Sequence, residues 1–280
     1  MKTQFLLPAL LSLIILFGIG ACTGTENVRT VIPEPPIGGG ITEKPQPRFL
    51  IFMRENHVDE TEFIEMLDII FGPSNYDRAT TPNDMDLLAP GLVEQYAALL
   101  FYDSNHPRPP REELYRLERF YENFDQLLQN GMPILVLHHG VGNYPRWAKF
   151  REIAGGAYIF PGVVSEYEDL HGRSWGPSHY EHDVYMNITV VDRDHPITQG
   201  IDDFVIFDEA YKDIYVYPGV HVLLTTDFPE ATPAVAWVHR YSNSPVFTLS
   251  LGHDKHAYTN ENFRRLIRQG IDWLISERRK

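Results

Sequence analysis

The stretch Pro133–Tyr144, PILVLHHGVGNY, decides the fold. Ile134–Leu137 shows no polar alternation, so it reads as a strand buried on both faces, as in a parallel sheet covered by helices. It ends in two adjacent histidines, His138 and His139, and a glycine-broken turn. Upstream, RFLIFMR (Arg48–Arg54) and YAALLFYD (Tyr96–Asp103) are apolar runs of the same kind. Between them ETEFIEMLDIIF puts Phe63, Met66, Leu67 and Ile70 on one helical face, with Asp59 as the expected N-cap. REELYRLERFYENFDQLLQNG repeats Leu114, Leu117, Tyr121, Phe124 and Leu128 at three- and four-residue spacing, and Gly131 stops it. Strand, helix, strand, helix, strand predicts one α/β domain.

Downstream the pattern loosens. Gly155–Asp183 is rich in glycine and aromatic residues and reads as mostly loop. VYMNITVVD (Val184–Asp192) alternates and reads as a strand, and VHVLLTT, PAVAWVH and PVFTLSLG read as three more. A last helix is expected from about Asn260 to Ser276, with Phe263, Leu266, Ile267, Ile271 and Leu274 inward.

The 280 residues are 43% apolar, enough for one substantial core. A formal charge of −14 disfavours nucleic acid and anionic membrane surfaces as partners. The single cysteine, Cys22, follows Lys2, the apolar FLLPALLSLIILF and the small residues Gly20-Ala21. That order reads as a bacterial lipoprotein signal, against the alternatives of an ordinary signal peptide or a signal anchor. Residues 1–21 would be removed, Cys22 would carry lipid, and 22–47, rich in Pro and Gly, would be a tether to a 48–280 domain. The expected place is the cell envelope. Thr23 after the cysteine favours the outer membrane, with the domain facing the periplasm or the cell surface. With Cys22 lipidated, disulfides and thiol nucleophiles are both excluded.

Polar residues collect where strands end. His138-His139 follow PILVL, Asp208-Glu209 with Tyr211 follow DFVIF, and Gly252-His253-Asp254 follow VFTLSL. In open α/β sheets ligands bind beyond the carboxyl ends of the strands. Two or three imidazoles and a carboxylate there suit Zn²⁺ or a similar divalent metal, and without metal they supply an acid and a base. Each signal alone has a plainer reading: a hydrogen-bonded strand-end histidine, a solvated acidic loop, a helix-start turn. Side chains alternate along an extended strand, so His138 and His139 are expected to face opposite ways. His179 and His182 either close over the cleft or sit exposed in a loop. HHGVGNY lacks the third glycine of a dinucleotide fingerprint and the lysine of a phosphate loop, so no nucleotide is expected.

The ordered set LVLHHG, RWAKFREIAGGAY, ITVVDRDHPITQGIDDFVIFDEAY, PAVAWVHRYSNSPVFTLSLGHD and GIDWLI resembles the trehalose-utilisation (ThuA-like) family from about Arg48 to Ile275. The resemblance implies a flavodoxin-like fold related to class I glutamine amidotransferases, and carbohydrate metabolism acting on glycosides or sugars oxidised to keto forms. It implies a cleft lined by His138 or His139, Glu209, Tyr211, Trp237 and His253, with His179 or His182. Taken with the strand ends, His139, Glu209, His253 and Tyr211 are the expected catalytic residues, with His139, Glu209 and His253 the candidate metal set, and His138, Trp237, Asp208, Asp254, His179 and His182 the expected substrate-binding residues. Trp237, Tyr211 and Trp175 could stack on a sugar or simply pack. Amidotransferase relatives place a thiol after the strand matching PILVL. Here His138-His139 stand there, so glutamine hydrolysis by that route is closed. The competing reading is a non-catalytic carbohydrate-binding lipoprotein.

Overall fold

Three strands whose every side chain is buried set the layout: Phe49–Met53, Ala98–Phe101 and Ile134–Leu137. The computed structural model describes residues 47–53, 59–80, 88–102, 114–166, 172 and 174–278. The signal segment, Cys22 and the tether up to residue 46 lie outside the described residues. In chain order the elements are β1 (Phe49–Met53), α1 (Glu60–Phe71), β2 (Tyr76–Thr80), α2 (Leu92–Gln95), β3 (Ala98–Phe101), α3 (Leu114–Gln129) and β4 (Ile134–Leu137). There follow α4 (Ala148–Ala154), β5 (Gly156–Ala157), β6 (His179–Val190), β7 (Phe204–Lys212), β8 (Tyr215–Val216) and β9 (His221–Thr226). The chain closes with β10 (Ala234–Tyr241), β11 (Ser244–Leu249), α5 (Lys255–Thr259) and α6 (Glu261–Arg278).

The main sheet runs β2-β1-β3-β4-β11-β10-β9-β6-β7. From β2 to β11 neighbours are parallel, and in strand order this is the 2-1-3-4-5 arrangement of flavodoxin-like folds. The α/β, flavodoxin-like expectation holds, and β4 is central as read. The sheet is nonetheless mixed, because β11, β10, β9, β6 and β7 pair antiparallel. β2 was not foreseen. It is the edge strand YDRAT, paired with β1 along its length, with Ala79 buried and the polar Asp77 and Arg78 in exposed ion pairs with Arg48 and Glu60.

Period-two alternation sorts the core into two layers. On β4, Leu135 and Leu137 join the layer of α1 and α6, whereas Ile134 and Val136 join that of α3 and α4. Phe63, Met66, Leu67 and Ile70 of α1 and Phe263, Leu266, Ile267, Ile271 and Leu274 of α6 are all buried, as their spacing demands. Asp59 departs from expectation. It sits in left-handed backbone (φ 51°) with no side-chain cap, and its Oδ2 instead accepts the Lys255 N–H at 3.3 Å. The Gly155–Asp183 region contains β5, which pairs with β8 further along the chain, and the first five residues of β6, which begins at His179 rather than Val184.

Candidate functional site

The site is assembled where β4 stops. Leu137 pairs with Leu249 of β11, which brings His138 beside Ser250. The chain then turns at once into a short 3-10 helix, His138–Gly142, with His138 at φ 44°. A bulky residue in left-handed backbone costs about 1–3 kcal/mol. The turn hugs β3, for a Cβ on Gly140 would lie 2.3 Å from the Phe101 carbonyl oxygen. Because the backbone is no longer extended, His138 and His139 do not face opposite ways. Their ring centroids are 4.3 Å apart, and both contribute to one cluster. This corrects the alternation argument.

His138 is wholly buried. Nδ1 donates to the Ser250 carbonyl at 2.8 Å, and Nε2 faces the site. Tyr211 Oη lies 2.9 Å from Nε2. Burial, reinforced by the charge of Glu209, raises the Tyr211 hydroxyl well above its usual range, so it keeps its proton. Glu209 Oε2 lies 3.0 Å from the same Nε2 and 3.4 Å from His253 Nδ1, and His253 Nδ1 is 3.2 Å from His138 Nε2. Buried Oε2 has no well-aligned hydrogen bond to any of them. Glu209 Oε2 and His138 Nε2 thus face each other at 3.0 Å, an arrangement that suits a proton or a metal cation between them. Burial pushes the Glu209 carboxyl up, but His138 and His253 outweigh it and hold it well below the usual carboxylate range. Burial pushes His253 down, and Glu209 more than offsets that, raising it.

His138, His139, Glu209 and His253 each offer a ligand atom, all within 4.8 Å of one another, and could hold a metal ion. The donor set suits a borderline divalent cation. The Nδ1–H···O=C bond of His138 is the support that metal-bound imidazoles commonly have. His138 therefore joins the ligand candidates rather than standing only as a substrate contact.

A cleft of about 230 Å³ opens over this cluster, with His139, Glu209, His253 and Tyr211 at its base. His182, half exposed, lines it and places Nδ1 3.1 Å from Glu209 Oε1. Val141, Tyr158 and Phe160 wall one side, and Tyr180 stands at the mouth. The two tyrosines and Phe160 had no distinguishing sequence pattern beyond an aromatic-rich stretch.

The remaining expected site residues lie elsewhere. Asp208 and Glu209 sit within β7, not after it, and alternate faces. Asp208, 2% exposed, turns away from the cleft and accepts the Gly252 N–H at 2.7 Å and the His253 N–H at 2.8 Å. Burial pushes its carboxyl up, and neighbouring His138 and these N–H groups oppose that. Asp254 caps α5, accepting the His256 N–H at 2.8 Å. Trp237 is fully buried core, with Nε1 donating to the Ala154 carbonyl at 2.9 Å. His179 pairs with Lys212 at the exposed start of β6, and Trp175 packs on Tyr215; neither lines the cleft.

The sequence matches the ThuA family, described as trehalose utilisation, over residues 48–274. The chain belongs to that family. A ThuA-like protein of Parabacteroides merdae superposes on it with a TM-score of 0.64 at 19% identity, over 83% of this chain and 91% of the other. A cytoplasmic protein of Salmonella typhimurium LT2 gives 0.53 at 11% identity, covering 81% and 99%. A glutamine amidotransferase of Thermotoga maritima gives 0.48 at 12%, covering 82% and 98%. At such identities the likeness is one of fold. No curated protein matches the chain. Membership places this ThuA domain broadly in carbohydrate metabolism.

Proposed function

We propose that this ThuA-family chain is a carbohydrate-active enzyme that works on a glycoside or keto-sugar, with a divalent metal held by His138, His139, Glu209 and His253. The observation that carries this reading is the convergence of four ligand atoms within 4.8 Å at the base of a cleft. A C–H next to a sugar ketone is acidic, and its removal starts isomerisation, elimination or loss of the glycosidic oxygen. A bound divalent ion would polarise the ketone oxygen and so make that proton easier to remove. Tyr211 keeps its proton and donates a hydrogen bond into the same space. Glu209 Oε1 orients His182, the imidazole placed between the cleft and solvent. Val141, Tyr158 and Phe160 supply an apolar wall for the C–H face of a sugar ring.

The test is metal content of the purified protein, followed by turnover of trehalose and its 3-keto form with and without chelator. The reading expects about one bound ion per chain and activity that chelation abolishes and metal restores. Turnover unchanged in both His139→Ala and Glu209→Ala would refute the site. Tight sugar binding with no turnover and indifference to chelator would favour the non-catalytic carbohydrate-binding alternative, which the aromatic wall also suits. Anchoring at Cys22 in the outer membrane, facing the periplasm or the cell surface, completes the proposal. Labelling with radioactive palmitate that survives Cys22→Ala would overturn it.

A further inference from the structure

β6 and β7 pair from Ile188↔Phe204 back to Tyr180↔Tyr211, but the register slips between Glu181 and Val184. Two residues of β6, His182 and Asp183, oppose one of β7, Glu209, the mark of a β-bulge, and Asp183 has φ 58°. A single extra residue reverses which face each side chain takes. Past the bulge Met186, Ile188 and Val190 face the layer that contains Ile206 and Ala210 of β7. Before it, Tyr180 lies across from Tyr211, which belongs to the opposite layer and lines the cleft. Without the extra residue Tyr180 and His182 would share the face of Val184 and Met186, away from the cleft. The bulge therefore aims both at the cleft.

Tyr180 is 58% exposed at the cleft mouth, its ring 4.9 Å from that of His182. The cleft itself, at about 230 Å³, is smaller than the ~300–1,000 Å³ of pockets for drug-sized ligands. It has room for one sugar ring. Anything joined to that ring must leave through the mouth, where Tyr180 and His182 are the exposed lining residues.

We propose that Tyr180 is the platform of an outer subsite, stacking on the second sugar of a glycoside whose terminal ring fills the cleft. The protein then acts on the end residue of a disaccharide-sized substrate, and the bulge at Asp183 sets that specificity. This rests on the carbohydrate reading above. The experiment measures binding by calorimetry, and KM where there is turnover, for 3-keto-trehalose and for 3-keto-glucose as the one-ring probe. Tyr180→Ala is expected to weaken the disaccharide roughly 2- to 12-fold, the worth of one aromatic stacking contact. The monosaccharide is expected to be unaffected, and Glu181→Ala, on the exposed opposite face, to behave as wild type. Equal weakening of both sugars, or no weakening of either, would overturn the outer subsite while leaving the carbohydrate reading intact. A wild-type protein that takes neither sugar would overturn both.

Discussion

Asp208 offers the sharpest test of how the site is built. It touches nothing in the cleft, yet its two carboxylate oxygens accept the backbone N–H groups of Gly252 and His253 at 2.7 and 2.8 Å. The carbonyls of the same turn are held separately: Tyr102 Oη donates to Gly252 O at 2.8 Å and Tyr258 Oη to His253 O at 2.9 Å. Gly252 itself is at φ 113° with Phe263 where a Cβ would go, so the turn has little freedom to re-form its bonds elsewhere. A hydrogen bond to a charged group contributes about 1.5–3 kcal/mol. Asp208→Ala removes two and should cost about 3–6 kcal/mol, a large share of a domain's ~5–15 kcal/mol. Asp208→Asn keeps one acceptor and should cost about 1.5–3 kcal/mol while the tyrosines hold the fold. Both should loosen His253, and loss of such a supporting contact typically weakens metal binding 10- to 100-fold. Urea unfolding gives the first quantity and zinc competition against a chelating dye the second. If Asp208→Asn loses stability but binds zinc like wild type, the clamp holds only the fold. If Asp208→Ala costs under about 1 kcal/mol, the clamp is not as described.

Other changes separate packing from chemistry. Gly140→Ala forces a Cβ against the β3 backbone and should destabilise by about 1–3 kcal/mol in urea; an unchanged midpoint would mean the His138–Gly142 turn runs differently. Trp237→Phe loses the bond to Ala154 O, although Thr248 Oγ1 still donates to that carbonyl at 2.7 Å. It should cost about 1 kcal/mol with sugar affinity unchanged, and a lost sugar affinity would return Trp237 to the cleft. His239 donates Nε2–H to the Ile153 carbonyl at 2.8 Å, and burial lowers its pKa below 6.5 despite that bond. On acidification the unfolded chain takes this proton first, so stability should fall as pH drops below 6.5, at no more than about 1.4 kcal/mol per pH unit. His239→Gln should remove that part of the slope between pH 7.5 and 5.5, and identical slopes would refute it.

The sequence made the parallel half of the sheet legible because double burial leaves a plain trace. FLIFM, ALLF and ILVL are apolar at every position, and only a strand covered on both faces needs that. The helices were legible for the matching reason, a single buried stripe. β2 was not, since an edge strand can satisfy itself with Asp77 and Arg78. The start of β6 was not, since its first five residues are exposed and carry no alternation. Trp237 misled because an aromatic residue near a site and one deep in a strand look identical in sequence. Its neighbours Ala236 and Val238 fill one layer and Trp237 the other, so the strand is buried on both faces there.

What could not be read was orientation, and the site depends on it at three places. Period two holds only while the backbone is extended, and each site element breaks that condition or depends on which face it takes. At His138 a left-handed φ turns the chain, so adjacent imidazoles converge instead of diverging. At Asp183 an extra residue flips the face of β6, which puts Tyr180 and His182 into the cleft. On β7 the strand continues through Asp208-Glu209, so normal alternation separates two acids that looked like a pair: one grips backbone, the other meets the histidines. In each case residue type marked the place, and backbone geometry decided the role. A left-handed residue and a bulge both carry a local cost. Here both occur where the buried carboxylate of Glu209 is to be met, by His138 from one side and His182 from the other. That coincidence is what strain retained for a site, rather than for packing, would produce.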